Sequence, residues 1–253
     1  MQTLSVVLAT FNEEKNLSAC LESVKVLAQE IVIVDGSSQD KTVEIAKKYG
    51  AKVSITNNPP LFHINKQKAI NMATKDWILQ LDADERVSDT LKKEIVAVIN
   101  KGSDINGYWI PRKNWFLGRY LLKGGQYPDY TLRLYRNGKG KLPQKDVHEQ
   151  AVVEGKTDKL LYPLLHMSDP SFSRYLKRWN RYTTLMAKEL REKKQPFYTP
   201  IMFLFIKPIW WFLLTYIRHK GFMDFWQGFI FSFFSALRFP AAYIKHMRRK
   251  YNE

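Results

Sequence analysis

The stretch "WILQLDADER", residues 77–86, ends a run of large apolar residues in three acids, Asp82, Asp84 and Glu85. Like charges side by side repel, and each costs free energy to desolvate. A positive partner is therefore expected among them. A divalent cation with hard oxygen ligands would offset the repulsion and bridge readily to a diphosphate. Asp35, which closes the apolar run "EIVIVD", is a further acid of the same kind. The plainer alternative is that "DADE" is a solvated turn opening a helix near residue 88, since acids favour a helix N-terminus. The buried character of the preceding run, with Asp35 on the same rim, favours a binding site.

These acids need a scaffold, and the chain supplies one. "LSVVLAT" (4–10), "EIVIVD" (30–35), "AKVSIT" (51–56) and "DWILQLDAD" (76–84) read as strands. Helical segments lie between them. The first is expected to be capped by Asn12 and carries Leu17, Leu21 and Val24 on one face; the second ends at Gly50; the third is "NKQKAINMAT" (65–74). Strands with almost no polar alternation, separated by helices, imply a parallel sheet covered on both faces. Ligands of such sheets bind beyond the carboxyl ends of the strands. Asp35, Asp82 and Asp84 then share that rim, and Asp82 and Asp84, two apart on an extended chain, face one point.

The chain of 253 residues carries 40 Lys and Arg against 24 Asp and Glu, a net +16 that predicts an anionic partner. The single Cys20 cannot form an internal disulfide, which suits a reducing compartment. The N-terminal "MQTLSVVLATFNEE" has no basic region before a long apolar core and no small-residue cleavage site, so it is not read as a signal peptide. Composition shifts after about residue 170. "SFSRYLKRWNRYTTLMAKELREKK" (171–194) reads as a basic amphipathic helix, followed by the aromatic-rich runs "PIMFLFIKPIWWFLLTYI" and "GFMDFWQGFIFSFFSAL". Both runs fall short of the roughly 20 apolar residues of a membrane span. They are also interrupted by Lys207, Pro208 and Asp224, which favours helices lying in the interface. Residues 168–253 hold 16 Lys and Arg against 5 Asp and Glu, so +11 of the +16 coincides with the apolar surface and points to anionic lipid. No groove-reading or single-strand module accompanies the charge, and no nucleic-acid partner is expected.

Five stretches, "VVLATFNEEKNL", "IVIVDGSSQDKT", "INKQKAINMATKDWILQLDADE", "PDYTLRLYR" and "VHEQ", together resemble family 2 glycosyltransferases of the GT-A fold. The bacterial subgroup that includes lipopolysaccharide-core β-glucosyltransferases is the nearest in pattern. The resemblance covers about residues 3 to 170 firmly and the rest loosely. It implies an α/β, GT-A (Rossmann-like), mostly parallel sheet with helices on both faces. Residues 1–170 would form the catalytic domain, with the nucleotide sugar on 1–100 and the acceptor on 101–170. Residues 171–253 would be helical and membrane-associating.

The same resemblance implies roles. Thr10 and Phe11 match positions that carry the donor's base, with Glu13 or Glu14 near the nucleoside, and Asp35 matches an acid that bonds base or ribose. Lys68 matches a basic residue near the diphosphate, where a cation would offset the leaving group's charge; Lys66 is read as a solvated surface charge. A divalent metal, Mg2+ or Mn2+, is expected on Asp84 first and Asp82 second, with His148 or His166 as further ligands, although a lone His is more often structural. Inverting transfer needs a base for the acceptor hydroxyl. Glu149 is preferred and Asp129 is the alternative, unless Asp129 merely pairs with Arg133 or Arg136. "YWIPRKNWFLGRYL" (108–121) is an expected acceptor floor.

The activity implied is transfer of a sugar from a nucleoside-diphosphate donor, UDP-linked, to a lipid-linked or lipopolysaccharide acceptor at the cytoplasmic face of the plasma membrane. A non-catalytic sugar-nucleotide or lipid binder and a nucleotidyltransferase are the competing readings. The second normally carries a Gly-rich basic loop after strand one, where this chain has "TFNEEKN". Donor sugar, acceptor and oligomeric state are not legible in the residues.

Overall fold

The computed structural model describes residues 1–59, 61–143, 150–192 and 194–250. The chain divides into two units, Met1–Arg112 with Asp129–His166, and Lys113–Pro128 with Met167–Glu253.

In the first unit β1 (Leu4–Thr10), β2 (Glu30–Asp35), β3 (Lys52–Ile55) and β4 (Trp77–Gln80) form a parallel sheet in the order β3-β2-β1-β4. Alternation along β1 explains why both faces are apolar. Leu4, Val6 and Leu8 pack with Leu17, Cys20, Leu21 and Val24 of α1 (Glu14–Val24). Val7 packs on the other face with Ala69 and Ile70 of α3 (His63–Met72). Between these helices lies α2 (Thr42–Lys48), and after β5 (Glu85–Val87) comes α4 (Asp89–Asn100). Ser88 caps α4, its Oγ accepting the Leu91 N–H at 3.3 Å.

Beyond β4 the sheet changes sense. After β6 (Ile105–Phe116) and β7 (Arg119–Tyr120), β8 (Asp129–Arg136) runs antiparallel to both β4 and β6. The first four strands are parallel as the sequence implies; beyond β4 most pairings are antiparallel, so the sheet as a whole is mixed. Two-residue strands β9 (Gly140–Lys141) and β10 (Val152–Val153) pair with each other, β11 (Lys156–Lys159) joins β6 in parallel, and β12 (Leu164–Asp169) pairs antiparallel with β5.

Two expectations about the first unit are corrected. β4 stops at Gln80, not at residue 84, because the chain turns: the Glu85 N–H donates to the Asp82 carbonyl and the Asp82 N–H to Glu85 Oε2, both at 2.9 Å. Asn12 does not cap α1. It sits at φ 54, where its Oδ1 accepts the Gln39 N–H at 2.8 Å, and Glu13 takes the cap position.

In the second unit α5 (Phe172–Glu192) packs Tyr175 with Phe116 and Leu121, and its far end packs Leu190 with Phe203 and Phe239. A helix spans Thr199–Arg218 and another Phe225–Lys250, joined through a short turn at Gly221–Asp224. By sequence both apolar runs are too short to cross a membrane. The Thr199–Arg218 helix, at 20 residues, is long and apolar enough by length and composition, because helix continues through Lys207 and Pro208. Ile201, Phe205, Ile209, Leu213 and Ile217, spaced by four, are exposed along it.

Candidate active site

The carboxyl rim of the parallel strands gathers the residues singled out from sequence. Asp35, at the end of β2, is fully buried. Its oxygens accept from Thr10 Oγ1, Ser38 Oγ and the Ser38 N–H, each at 2.7 Å. The loop after β1 is laced to the loop after β2: Asn12 N–H donates to Ser38 Oγ at 2.8 Å, and Glu13 N–H to Thr42 Oγ1 at 2.7 Å. Phe11 stands exposed on this loop. The result is a fixed ledge carrying one free-standing aromatic ring.

The acids of "DADE" meet cations that belong to the protein itself. Lys66, on the buried face of α3, forms an ion pair with Asp82 Oδ1. Arg133 Nη2 lies 2.6 Å from Asp82 Oδ2 and 2.9 Å from Glu85 Oε1. Arg112 donates from Nε and Nη2 to Asp129 Oδ2, at 3.0 and 2.7 Å, and its Nη1 lies 3.5 Å from Glu85 Oε1. Burial alone would raise the Asp82 carboxyl, but Arg133 and Lys66 outweigh it and hold it well below the usual carboxylate range. Burial would likewise lower the Arg133 guanidinium, yet Asp82 and Glu85 hold it above its ordinary value. The group is a chain of alternating charges from α3 through the turn to β8 and β6.

Arg133 reaches this place through an irregularity in pairing. Tyr108 of β6 opposes Leu134 and Trp109 opposes Leu132, so Arg133 is an extra residue on β8 with no partner across the ladder. Such a bulge re-aims a side chain. Arg133 Nε and Thr131 Oγ1 are buried without a hydrogen-bond partner among the described residues. Buried polar atoms of this kind are what a polar ligand satisfies.

Asp84 turns elsewhere. Its Oδ1 lies 3.6 Å from His166 Nε2, and both side chains are 15% exposed. Asp82 and Asp84 thus have different protein partners, and the chain between them turns where the sequence reading has it extended. Among the described residues no group of three or more His, Cys, Asp or Glu gathers as a ready metal cage. A carboxylate and an imidazole side by side suit a divalent cation whose remaining positions are filled by phosphate oxygens and water. Asp84 and His166 are the residues that fit this role; both Asp82 oxygens are engaged by cations.

Lys66 is corrected from a surface charge to a buried member of the cluster, and Lys68 donates instead to Thr56 Oγ1 at 3.0 Å beside the end of β3. Asp129 pairs with Arg112 and not with Arg133 or Arg136; Arg136 donates to the Ser103 and Ile105 carbonyls and lies 4.8 Å from the Trp77 ring. Glu149 and His148 lie outside the described residues. The reading from sequence missed Arg112, Arg133 and Glu85 as partners. A charged residue inside "YTLRLYR", a run otherwise fit for a buried strand, was the available signal.

The sequence matches the family description "Glycosyl transferase family 2" over residues 5–239. A lipopolysaccharide core biosynthesis glycosyltransferase, LpsC, of Rhizobium meliloti is 31% identical, over 93% of this chain and 91% of that protein. An uncharacterized glycosyltransferase of Rickettsia typhi is 28% identical over 91% and 82%. Among solved structures, Staphylococcus aureus TarS residues 1–349 aligns over 99% of this chain and 92% of that one, at 15% identity and a TM-score of 0.48, a likeness too slight to argue from.

Proposed function

This chain belongs to glycosyl transferase family 2, and on that premise we propose that it transfers a sugar, with inversion, from a UDP-linked donor to a membrane-bound glycan or lipid of the bacterial envelope. The observation that carries the reading is the rim itself. Acids at the carboxyl end of the parallel sheet are held by the buried cations Lys66 and Arg133 and by the half-buried Arg112, while Asp84 stands with His166.

In this reading Phe11 offers a ring to the base, and Asp35 fixes the ledge beneath it by holding Thr10 and Ser38. Lys66 and Arg133 lie where the charge of a departing diphosphate would be met. A divalent metal held by Asp84 and His166 would supply Lewis acidity to that leaving group. The acceptor hydroxyl attacks the anomeric carbon and gives its proton to a carboxylate, Glu149 or Asp129. Arg112 orients Asp129.

The acceptor class draws on the relative named for lipopolysaccharide core biosynthesis. Attachment to the cytoplasmic face of the inner membrane draws on the exposed apolar Thr199–Arg218 helix and the basic C-terminal composition. A soluble nucleotide sugar would meet a lipid-bound acceptor there.

The test incubates the full chain with nucleotide sugars, Mn2+ and a membrane extract, and follows free nucleoside diphosphate against pyrophosphate. Release of the diphosphate, dependent on extract, is expected; release of pyrophosphate or neither product would count against transfer. Glu149→Gln is expected to abolish transfer and leave donor binding intact. If it is active while Asp129→Asn is dead with normal donor affinity, the base is Asp129.

A further inference from the structure

The sequence "FMDFW", residues 222–226, inverts the usual order of inside and outside. Phe222, Met223, Phe225 and Trp226 are 49%, 50%, 68% and 56% exposed, while Asp224 between them is 2% exposed. Carboxylates are rarely buried unless paired, so its partners matter. Asp224 Oδ2 accepts the N–H groups of Leu122 and Lys123, at 3.0 and 2.7 Å. Arg119 Nη2 stands 3.8 Å from Oδ1, and the Arg119 guanidinium lies 4.7 Å from the Phe225 ring. Two more bonds run the same way: Gln227 Nε2 donates to the Leu117 carbonyl at 3.2 Å, and the Gly124 N–H to the His219 carbonyl at 3.0 Å. The loop 117–124 is thus stitched to the turn between the two apolar helices.

The turn is held in one shape. Lys220 and Phe225 take φ of 56 and 55, conformations that L residues keep only when their surroundings impose them. A Cβ on Gly228 would fall 1.9 Å from the Gly221 carbonyl oxygen, so only glycine permits this approach of the second helix to the turn. Beside the exposed aromatics stand exposed Arg218, His219 and Lys220. Aromatics with flanking cations are the composition of a surface that meets the headgroup level of an anionic bilayer.

We propose that Asp224 is a positioning residue that makes the 117–128 loop part of a bilayer-facing turn, so that a bilayer held by Phe222, Met223, Phe225 and Trp226 orders the loop running directly into Asp129. The inference rests on the membrane reading above. It adds a route by which lipid contact would reach the acceptor side of the reaction.

Hydrogen exchange of the full chain, with and without phosphatidylethanolamine/phosphatidylglycerol vesicles, tests it together with flotation. In the wild type, vesicles are expected to slow exchange in the 117–128 peptide, most at the Leu122 and Lys123 amides. Asp224→Asn is expected to float equally and yet exchange those amides about 10-fold to 100-fold faster, the scale of hydrogen bonds to a charged group. A merely structural bond would give the second result without the first. A floating wild type whose loop exchange ignores vesicles, or an Asp224→Asn protein with unchanged exchange, would overturn the proposal. A wild type that does not float would overturn it through the membrane reading, an outcome distinguished by flotation alone. If Asp224→Asn exchanges throughout as an unfolded chain, Gln227→Met takes its place. It removes only the donor to Leu117 and leaves the Asp224 bonds in place, so the vesicle effect at Leu122 and Lys123 is expected to persist; its loss with flotation retained would contradict the assignment to Asp224.

Discussion

The parallel sheet buries carboxylates at both of its ends and treats them differently. At the amino end Glu30, first residue of β2, accepts from Ser5 Oγ, from the Thr74 N–H and Oγ1 at 2.8 and 2.9 Å, and from the exposed Lys52 at 2.6 Å. At the carboxyl end Asp82 and Glu85 are met by Arg133, Lys66 and Arg112, of which Arg133 and Lys66 are buried. Mostly neutral donors satisfy Glu30 completely and join the starts of three strands to the loop before β4. Buried cations held by acids are costly to assemble. They make sense where an anion is to be received. On the proposed reading, one end is a structural knot and the other is the donor site.

Asp84→Asn should break the second end most severely. It keeps side-chain size while removing the charge beside His166, and transfer should fall about 100-fold to 1000-fold with the melting temperature little changed. Initial rates and a thermal melt check both halves. Lys66→Met comes next, because it strands the Asp82 carboxylate beside a single cation. Affinity for UDP should fall about 10-fold, and stability by roughly 3 kcal/mol, the cost of breaking a buried pair; calorimetry and urea unfolding read these.

Glu30→Gln should do the converse, losing about 2 kcal/mol of stability with turnover unchanged. Burial raises the Glu30 carboxyl, but the bonds from Lys52, Ser5 and Thr74 outweigh it and lower it to about 2 from 4.5. A depressed pKa contributes stability fully present above the unfolded value. For Glu30 that stability is lost as pH falls from about 4.5 toward 2. Unfolding followed across that window should lose part of its pH dependence in Glu30→Gln. Lys68→Ala should have the smallest effect, about 2-fold on UDP affinity, since Lys68 faces Thr56 and not the acids. An effect as large as that of Lys66→Met would undo the assignment of the two lysines.

At both ends the strands were legible in sequence; at the carboxyl end the acids were too, whereas the bonds that satisfy Glu30 at the amino end were not. Apolar runs without alternation located β1, β2 and β4 because strands covered on both faces have no polar face to show. The acids stood out for the same reason. Their partners did not, since Lys66 is distinguished from Lys68 only by its helical phase with Ala69 and Ile70. Arg133 depends on a bulge that pairing creates and composition does not reveal. In the second unit Lys207 and Pro208 looked like interruptions of an apolar helix, yet Lys207 lies 3.7 Å from the Phe203 ring centroid and the helix runs on. Asp224 looked like a stray charge and is instead the acceptor of two backbone N–H groups.

The most direct measurement is a calorimetric titration of UDP into the full chain, with and without Mn2+, for wild type, Asp84→Asn and Glu30→Gln. Mn2+ should tighten UDP binding about 10-fold or more in the wild type and in Glu30→Gln, and leave Asp84→Asn unaffected. Equal UDP affinity with and without metal in the wild type, or full metal dependence retained by Asp84→Asn, would contradict the account.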